Sequence, residues 1–224
     1  MKQQLAKHIK NKLNLLNTVL GKEYSYSCLP LAALDAVYSI RQDYKQTQKI
    51  VDNYCGYYGI AKYKGDSNKK IHMVSEFISN IEKNGVEQFA VDVLHSKNMT
   101  AGGQPILKAE AVYEFCEILR KNGIEKFDNF AKSDKDKLEK ELLQIHGQGQ
   151  AVVKYFFMLC GNDNFCKPDR HILKFLSEVV EKEVNADEAQ KLLEAATDEL
   201  KSDYPNMTVR LLDYVIWNYQ RNKS

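Results

Sequence analysis

The chain has 224 residues, enough to bury a substantial core in one domain or in two small lobes. Its 44% hydrophobic and 28% charged residues exclude a disordered chain, and a formal net charge of +2 excludes a global basic field, so that any nucleic-acid site has to be a local patch. No segment approaches the roughly 20 consecutive apolar residues of a membrane span, and Met1 to His8 run into an amphipathic pattern instead of a secretory apolar core, so a cytoplasmic protein with no membrane partner is expected.

In chain order, helical spacing recurs and alternating strand-like runs are few. Leu5, Ile9, Leu13, Leu16 and Leu20 form one stripe that Gly21 would end. Leu29 to Tyr44 reads as a central helix buried on most sides, with Pro30 tolerated in its first turn. Stripes at Ile71 to Ile81, Val86 to Leu94 and Ile106 to Leu119 are separated by turn-rich stretches such as 64–68 and 101–103. Ser133 with Asp136 three residues on reads as a capping box for the helix carrying Leu138, Leu142 and Ile145, and Asn185 with Glu188 repeats the device before Leu192 and Leu193. A last helix runs from about Thr208 to Gln220. The fold class predicted is all-α, a two-lobed bundle of roughly ten short helices. The five cysteines are odd in number and include no Cys-x-x-Cys pair, so neither a disulfide framework nor a zinc site is expected.

One stretch carries chemistry. Ile145-His146-Gly147-Gln148-Gly149-Gln150-Ala151 places two glycines where one helix turns into the next, and such a turn opens a helix with bare backbone amides at its positive end, a ready site for phosphate. A tight connection between packed helices needs glycine as well. After the apolar helix Val152 to Cys160 comes a loop ending in Lys167-Pro168, and then Asp169-Arg170-His171, where proline favours a sharp helix entry with Asp169 at the N-cap. Helix capping alone accounts for an aspartate there, since a negative side chain suits the helix's positive end.

This order of glycine hairpin, apolar helix, Gly/Pro loop and Asp-x-His resembles the helix-hairpin-helix DNA glycosylase superfamily and its endonuclease III branch. The resemblance covers about Leu138 to Leu176, with weaker echoes at Leu29 to Tyr44, Ile106 to Ala109 and Leu212 to Trp217. It implies a helix-hairpin-helix that grips the backbone of double-stranded DNA through Gly147 and Gly149; Gln148 and Gln150 beside them are further DNA-binding candidates, as is Lys154 on the following helix, read as a phosphate-contacting or solvated lysine in preference to one reaching inward. It implies further that Asp169 faces a pocket for a damaged or mismatched base flipped out of the duplex. The implied lobes are 28–165, including the hairpin, and 1–27 together with 166–224.

The chain departs from the branch in three ways. Bifunctional members carry a Schiff-base lysine two residues after the second hairpin glycine, where this chain has Ala151, so a monofunctional glycosylase is implied. No cysteine follows Cys166, so no iron-sulfur cluster and no other cofactor is expected. His146 and Gln148 replace the hairpin's usual proline and aliphatic residue. The competing readings are a non-catalytic DNA-binding helix-hairpin-helix protein and a helical protein unrelated to DNA.

Overall fold

A computed structural model describes residues 2–66 and 70–223; of the turn expected at 64–68, Ser67 and Asn68 lie outside the described residues. The described residues form α1 (Lys2–Lys12), a 3-10 turn (Lys22–Ser25), α2 (Leu29–Tyr38), α3 (Tyr44–Tyr58), α4 (Val74–Asn84), α5 (Val86–Asp92), α6 (Lys108–Lys121), α7 (Phe127–Lys132), α8 (Lys135–Leu142), α9 (Gln150–Leu159), α10 (Arg170–Val180), α11 (Ala186–Leu200) and α12 (Val209–Lys223). Among these residues no strand forms, and pairing is confined to isolated bridges such as Met99 with Leu107. The all-α expectation holds.

The chain divides into two compact units, Lys22–Cys160 and the pair of segments Met1–Gly21 and Gly161–Ser224. In the continuous unit α2 is the axis. All ten of its residues are buried, and it packs against α3, α6 and α9. Pro30 sits in its first turn, where no intrahelical N–H is lost. Aromatic rings fill the space around it: Phe156 meets Phe115 edge-on at 4.8 Å and Phe130 at 5.6 Å, while Tyr54 lies against Phe77 at 5.1 Å. In the two-segment unit α1 packs against α10 and α11, and α10 against α11 and α12, around a core that includes Leu5, Ile9, Phe175, Leu193, Leu212 and Ile216.

The structure corrects several local expectations. The first stripe ends early, because α1 stops at Lys12, Asn17 adopts φ +54°, and Leu16 is 70% exposed while Leu15 is buried in its place. The helix expected to run from Leu29 to Tyr44 ends at Tyr38, and Arg41 at φ +50° turns the chain into α3, a helix absent from the sequence-based expectation. Its signals are nevertheless local: Asp43 caps it by accepting from the Lys45 N–H, Gly59 ends it at φ +63°, and Thr47, Ile50, Val51, Tyr54 and Cys55 form its buried stripe. The cap of α8 is Asp134, which accepts from the Lys137 N–H at 3.0 Å, while the Ser133 hydroxyl donates back to Phe130 and closes α7. The Asn185 and Glu188 box is present as expected, with the Glu188 N–H donating to Asn185 Oδ1 at 2.9 Å.

Candidate functional site

The glycine turn lies in the continuous unit. Gly147 adopts φ +74°, in the left-handed region, and a Cβ there would come within 2.6 Å of both the Ala101 carbonyl oxygen and the Thr100 Cβ. Glycine is therefore required twice over at this position, by dihedral and by contact. The loop it presses on is tied, since the Thr100 N–H donates to Ile106 O at 2.8 Å and the Thr100 hydroxyl accepts from the Ile106 N–H at 3.2 Å.

Gly149 is different. It is the N-cap of α9 with an ordinary extended backbone (φ −117°, ψ 173°), and a Cβ there would meet nothing within 4 Å. Neither packing nor dihedral asks for glycine at 149. What glycine does there is leave the first turn of α9 without a capping side chain, and that turn contains no acidic residue. Gly149 and Gln150 are exposed.

Of the three long side chains expected to meet DNA at the turn, Gln150 is exposed and the other two are buried. Gln148 is 8% exposed, and neither its Oε1 nor its Nε2 has a hydrogen-bond partner among the described residues. Lys154 is also 8% exposed, because α9 is buried on all sides from Val152 to Leu159 and carries the lysine inward with it.

Asp169 lies in the two-segment unit at the N-cap of α10. The backbone turns sharply before it, with the Asp169 N–H donating to Lys167 O at 2.7 Å across the buried Pro168. Asp169 Oδ1 accepts from both the His171 N–H (2.9 Å) and the Ile172 N–H (3.1 Å). A single oxygen makes the whole cap, so Oδ2 stays outside it, and the side chain is only half-buried. A carboxylate fixed through one oxygen at a helix's positive end keeps the other free of the cap itself. Of the basic residues near it in sequence, Arg170 and Lys174 are exposed, and Lys174 pairs with Glu178 along its own helix at 4.0 Å. His171 meets the Trp217 ring edge-on at 6.3 Å, and the Arg221 guanidinium lies 4.5 Å from the centre of that ring.

A second carboxyl group, whose role no sequence motif signals, reaches the same corner. Asp213, on α12 and 3% exposed, accepts the Lys167 N–H at 2.9 Å. Burial, and then the charge of Asp169, push its pKa well above the usual carboxylate range. The signal available in the sequence was an aspartate inside an otherwise apolar helical stripe, between Leu212, Val215 and Ile216.

The continuous unit holds another buried acid. Asp35 accepts from the Tyr26 hydroxyl at 2.7 Å and from the Tyr155 hydroxyl at 3.4 Å, and Gln48 donates to the Tyr26 hydroxyl at 2.7 Å. The network knits the start of this unit to α2, α3 and α9, and it satisfies a carboxylate that is otherwise costly to bury. A cavity of about 590 Å³, bordered by Cys28, His72, Glu76, Glu125 and Phe127, lies in the same unit, and no residue of the glycine turn lines it. Among the described residues no group of three or more His, Cys, Asp or Glu side chains is arranged to hold a metal ion, and no helix is long and apolar enough to cross a membrane.

A family model described as Domain of unknown function (DUF8548) matches residues 3–221. No curated protein matches the chain in sequence. Among solved structures, the chain resembles the H. pylori 3-methyladenine DNA glycosylase MagIII, bound to 1,N6-ethenoadenine, with a TM-score of 0.66 and 16% identity over 100% of this chain and 98% of that one. It resembles the Schizosaccharomyces pombe 3-methyladenine DNA glycosylase Mag1, in complex with abasic DNA, with a TM-score of 0.62 and 12% identity over 97% and 94% of the two chains. A third likeness is to the Clostridium acetobutylicum 8-oxoguanine glycosylase/lyase in complex with double-stranded DNA, with a TM-score of 0.55 and 13% identity; 87% of this chain is matched, spanning 61% of that protein's length. At these identities the likenesses establish a shared helical fold.

Proposed function

We propose that the chain, which belongs to the family described as Domain of unknown function (DUF8548), is a DNA glycosylase-like enzyme that hydrolyses the N-glycosidic bond of a damaged or mismatched base turned out of double-stranded DNA. The observation that carries this reading is the Asp169 carboxylate, committed to its helix through Oδ1 alone, in a chain whose fold is that of DNA glycosylases.

Breaking an N-glycosidic bond develops positive charge on the sugar. A carboxylate oxygen held at a fixed point lowers the energy of that charge or takes a proton from the attacking water. Extrusion of the base costs a few kcal/mol and is easiest at a damaged or mismatched pair. In this reading the bare amides that open α9, at Gly149, Gln150 and Ala151, meet the phosphate backbone. Gln148 and Lys154 are retained with a narrower role, since both are buried: any contact they make with DNA requires their side chains to leave the positions seen here. Ala151 supplies no amine, which supports hydrolysis without strand cleavage. The position within the superfamily, on the endonuclease III branch, rests on the order of glycine hairpin, apolar helix, Gly/Pro loop and Asp-x-His from Gly147 to His171.

The test is abasic-site formation on a panel of duplexes bearing single damaged or mismatched bases, comparing wild type with Asp169→Asn. Asparagine caps a helix as well as aspartate does, so the variant keeps the fold and loses only the charge. Base release should fall by about a hundredfold or more. Equal rates in the two proteins remove Asp169 from the mechanism, and salt-dependent duplex binding without base release in the wild type leaves a DNA-binding protein that does no chemistry.

A further inference from the structure

The Lys167 to Asp169 corner is held from outside its own helix. Asp213 projects from α12 into the core of the two-segment unit, beside Leu212 and Ile216, and accepts the Lys167 N–H at 2.9 Å. The Lys167 carbonyl in turn accepts the Asp169 N–H at 2.7 Å, so one residue hands the contact from α12 to the N-cap of α10. Burying a carboxyl group costs several kcal/mol unless it is neutral or well partnered. We infer that Asp213 is the positioning residue for Asp169: through the Lys167 amide it fixes the corner that sets the direction of the Asp169 carboxylate. The inference rests on reading Asp169 as the reacting carboxylate.

The neighbouring charges fit the role. From the start of α10 the groups acting on Asp213 are Asp169 and Lys167. α11 has no ionisable side chain among its buried residues, which are alanines, leucines and Thr197. On α12 itself, Arg210 is paired with Asp163 at 2.7 Å and Arg221 lies over Trp217. Burial raises the Asp213 pKa, and the charge of Asp169 raises it further.

The experiment compares Asp213→Asn, which keeps an acceptor, with Asp213→Leu, which has none. Amide hydrogen exchange at Lys167, duplex affinity and base-release rate are read for both. The Lys167 amide should be protected in the wild type and in Asp213→Asn, and should exchange at least tenfold faster in Asp213→Leu. Base release should stay within about threefold of wild type in Asp213→Asn and fall by about a hundredfold in Asp213→Leu at unchanged duplex affinity, the loss expected when a reacting group is misplaced by about an ångström. A folded Asp213→Leu protein with a protected Lys167 amide and wild-type base release overturns the inference. So does an Asp213→Asn protein as inactive as Asp169→Asn, which would put the Asp213 charge in the chemistry. A freely exchanging Lys167 amide in the wild type overturns it even if Asp213→Leu fails to fold. Absence of base release by the wild type on every duplex defeats the reading of Asp169 instead, and the exchange comparison at Lys167 then still decides whether Asp213 holds the corner.

Discussion

Replacing Gly147 by alanine places a methyl group where no space exists. Its Cβ would stand 2.6 Å from Ala101 O, 2.6 Å from Thr100 Cβ and 2.7 Å from Thr100 Oγ1. Two of these neighbours cannot yield cheaply: one is a backbone carbonyl, and the other is the Cβ of a residue tied by hydrogen bonds to Ile106. The left-handed φ of +74° adds about 1–2 kcal/mol for any residue bearing a Cβ, and forced overpacking adds about 1–3 kcal/mol. Gly147→Ala should therefore lose about 2–5 kcal/mol, a large share of the roughly 5–15 kcal/mol that holds a domain together. Gly149→Ala is the control two residues away: ordinary φ, open surroundings, and an expected loss of only about 0.5–1 kcal/mol, because alanine is a poorer N-cap than glycine. Urea unfolding followed by circular dichroism gives both values from the same curves. If the two variants fall within about 1 kcal/mol of each other, the packing argument for the turn is refuted. The pair also separates fold from function, because Gly149→Ala should weaken duplex binding without unfolding the protein if the amides of α9 approach phosphate closely.

Asp169→Ala should lower stability by about 0.5–2 kcal/mol through loss of the cap, while Asp169→Asn leaves it within about 0.5 kcal/mol, as thermal unfolding would measure; equal losses in both would mean that the cap contributes nothing. Gln148→Met removes two buried polar atoms that have no partner among the described residues and should raise stability by about 1 kcal/mol in urea unfolding, whereas a loss would show that the amide is satisfied in solution. Lys108 donates to Tyr38 O at 3.1 Å and Ile40 O at 2.7 Å at the end of α2, and burial pulls its pKa from 10.5 down to about 8. The unfolded chain then binds the extra proton between about pH 8 and 10.5, so the stability difference between wild type and Lys108→Met should move in the wild type's favour across that window and stay flat below it; a difference that does not vary with pH would show the ammonium titrating normally.

Much of the helical architecture is legible from residues no more than four apart. The composition of Leu29–Tyr38 announces a helix buried on all sides, the Pro168-Asp169 pair announces a cap, and the Asn185 and Glu188 box opens α11 as its spacing implies. α3 shows that a local signal can be present and still be read over: its caps and stripe are intact, but the apolar run before it is continuous in the sequence and only Arg41, at a positive φ, turns the chain. Leu16 continues the α1 stripe in the sequence and is exposed in the structure, because a repeat of apolar residues states which face would be buried and not where the helix stops. The two glycines of the turn look equivalent as letters. Only the packing of Thr100 and Ala101, some 46 residues earlier in the chain, makes one of them indispensable on steric grounds and leaves the other open. Asp213 is the same lesson for the candidate site. Its partner Lys167 lies 46 residues away, and nothing within a helical turn of either residue tells that a backbone N–H and a carboxyl group will meet in the core. Periodicity and caps are properties of a segment and travel with its sequence. The identity of a buried partner is set by which segments pack together, and that is decided only when the whole chain has folded.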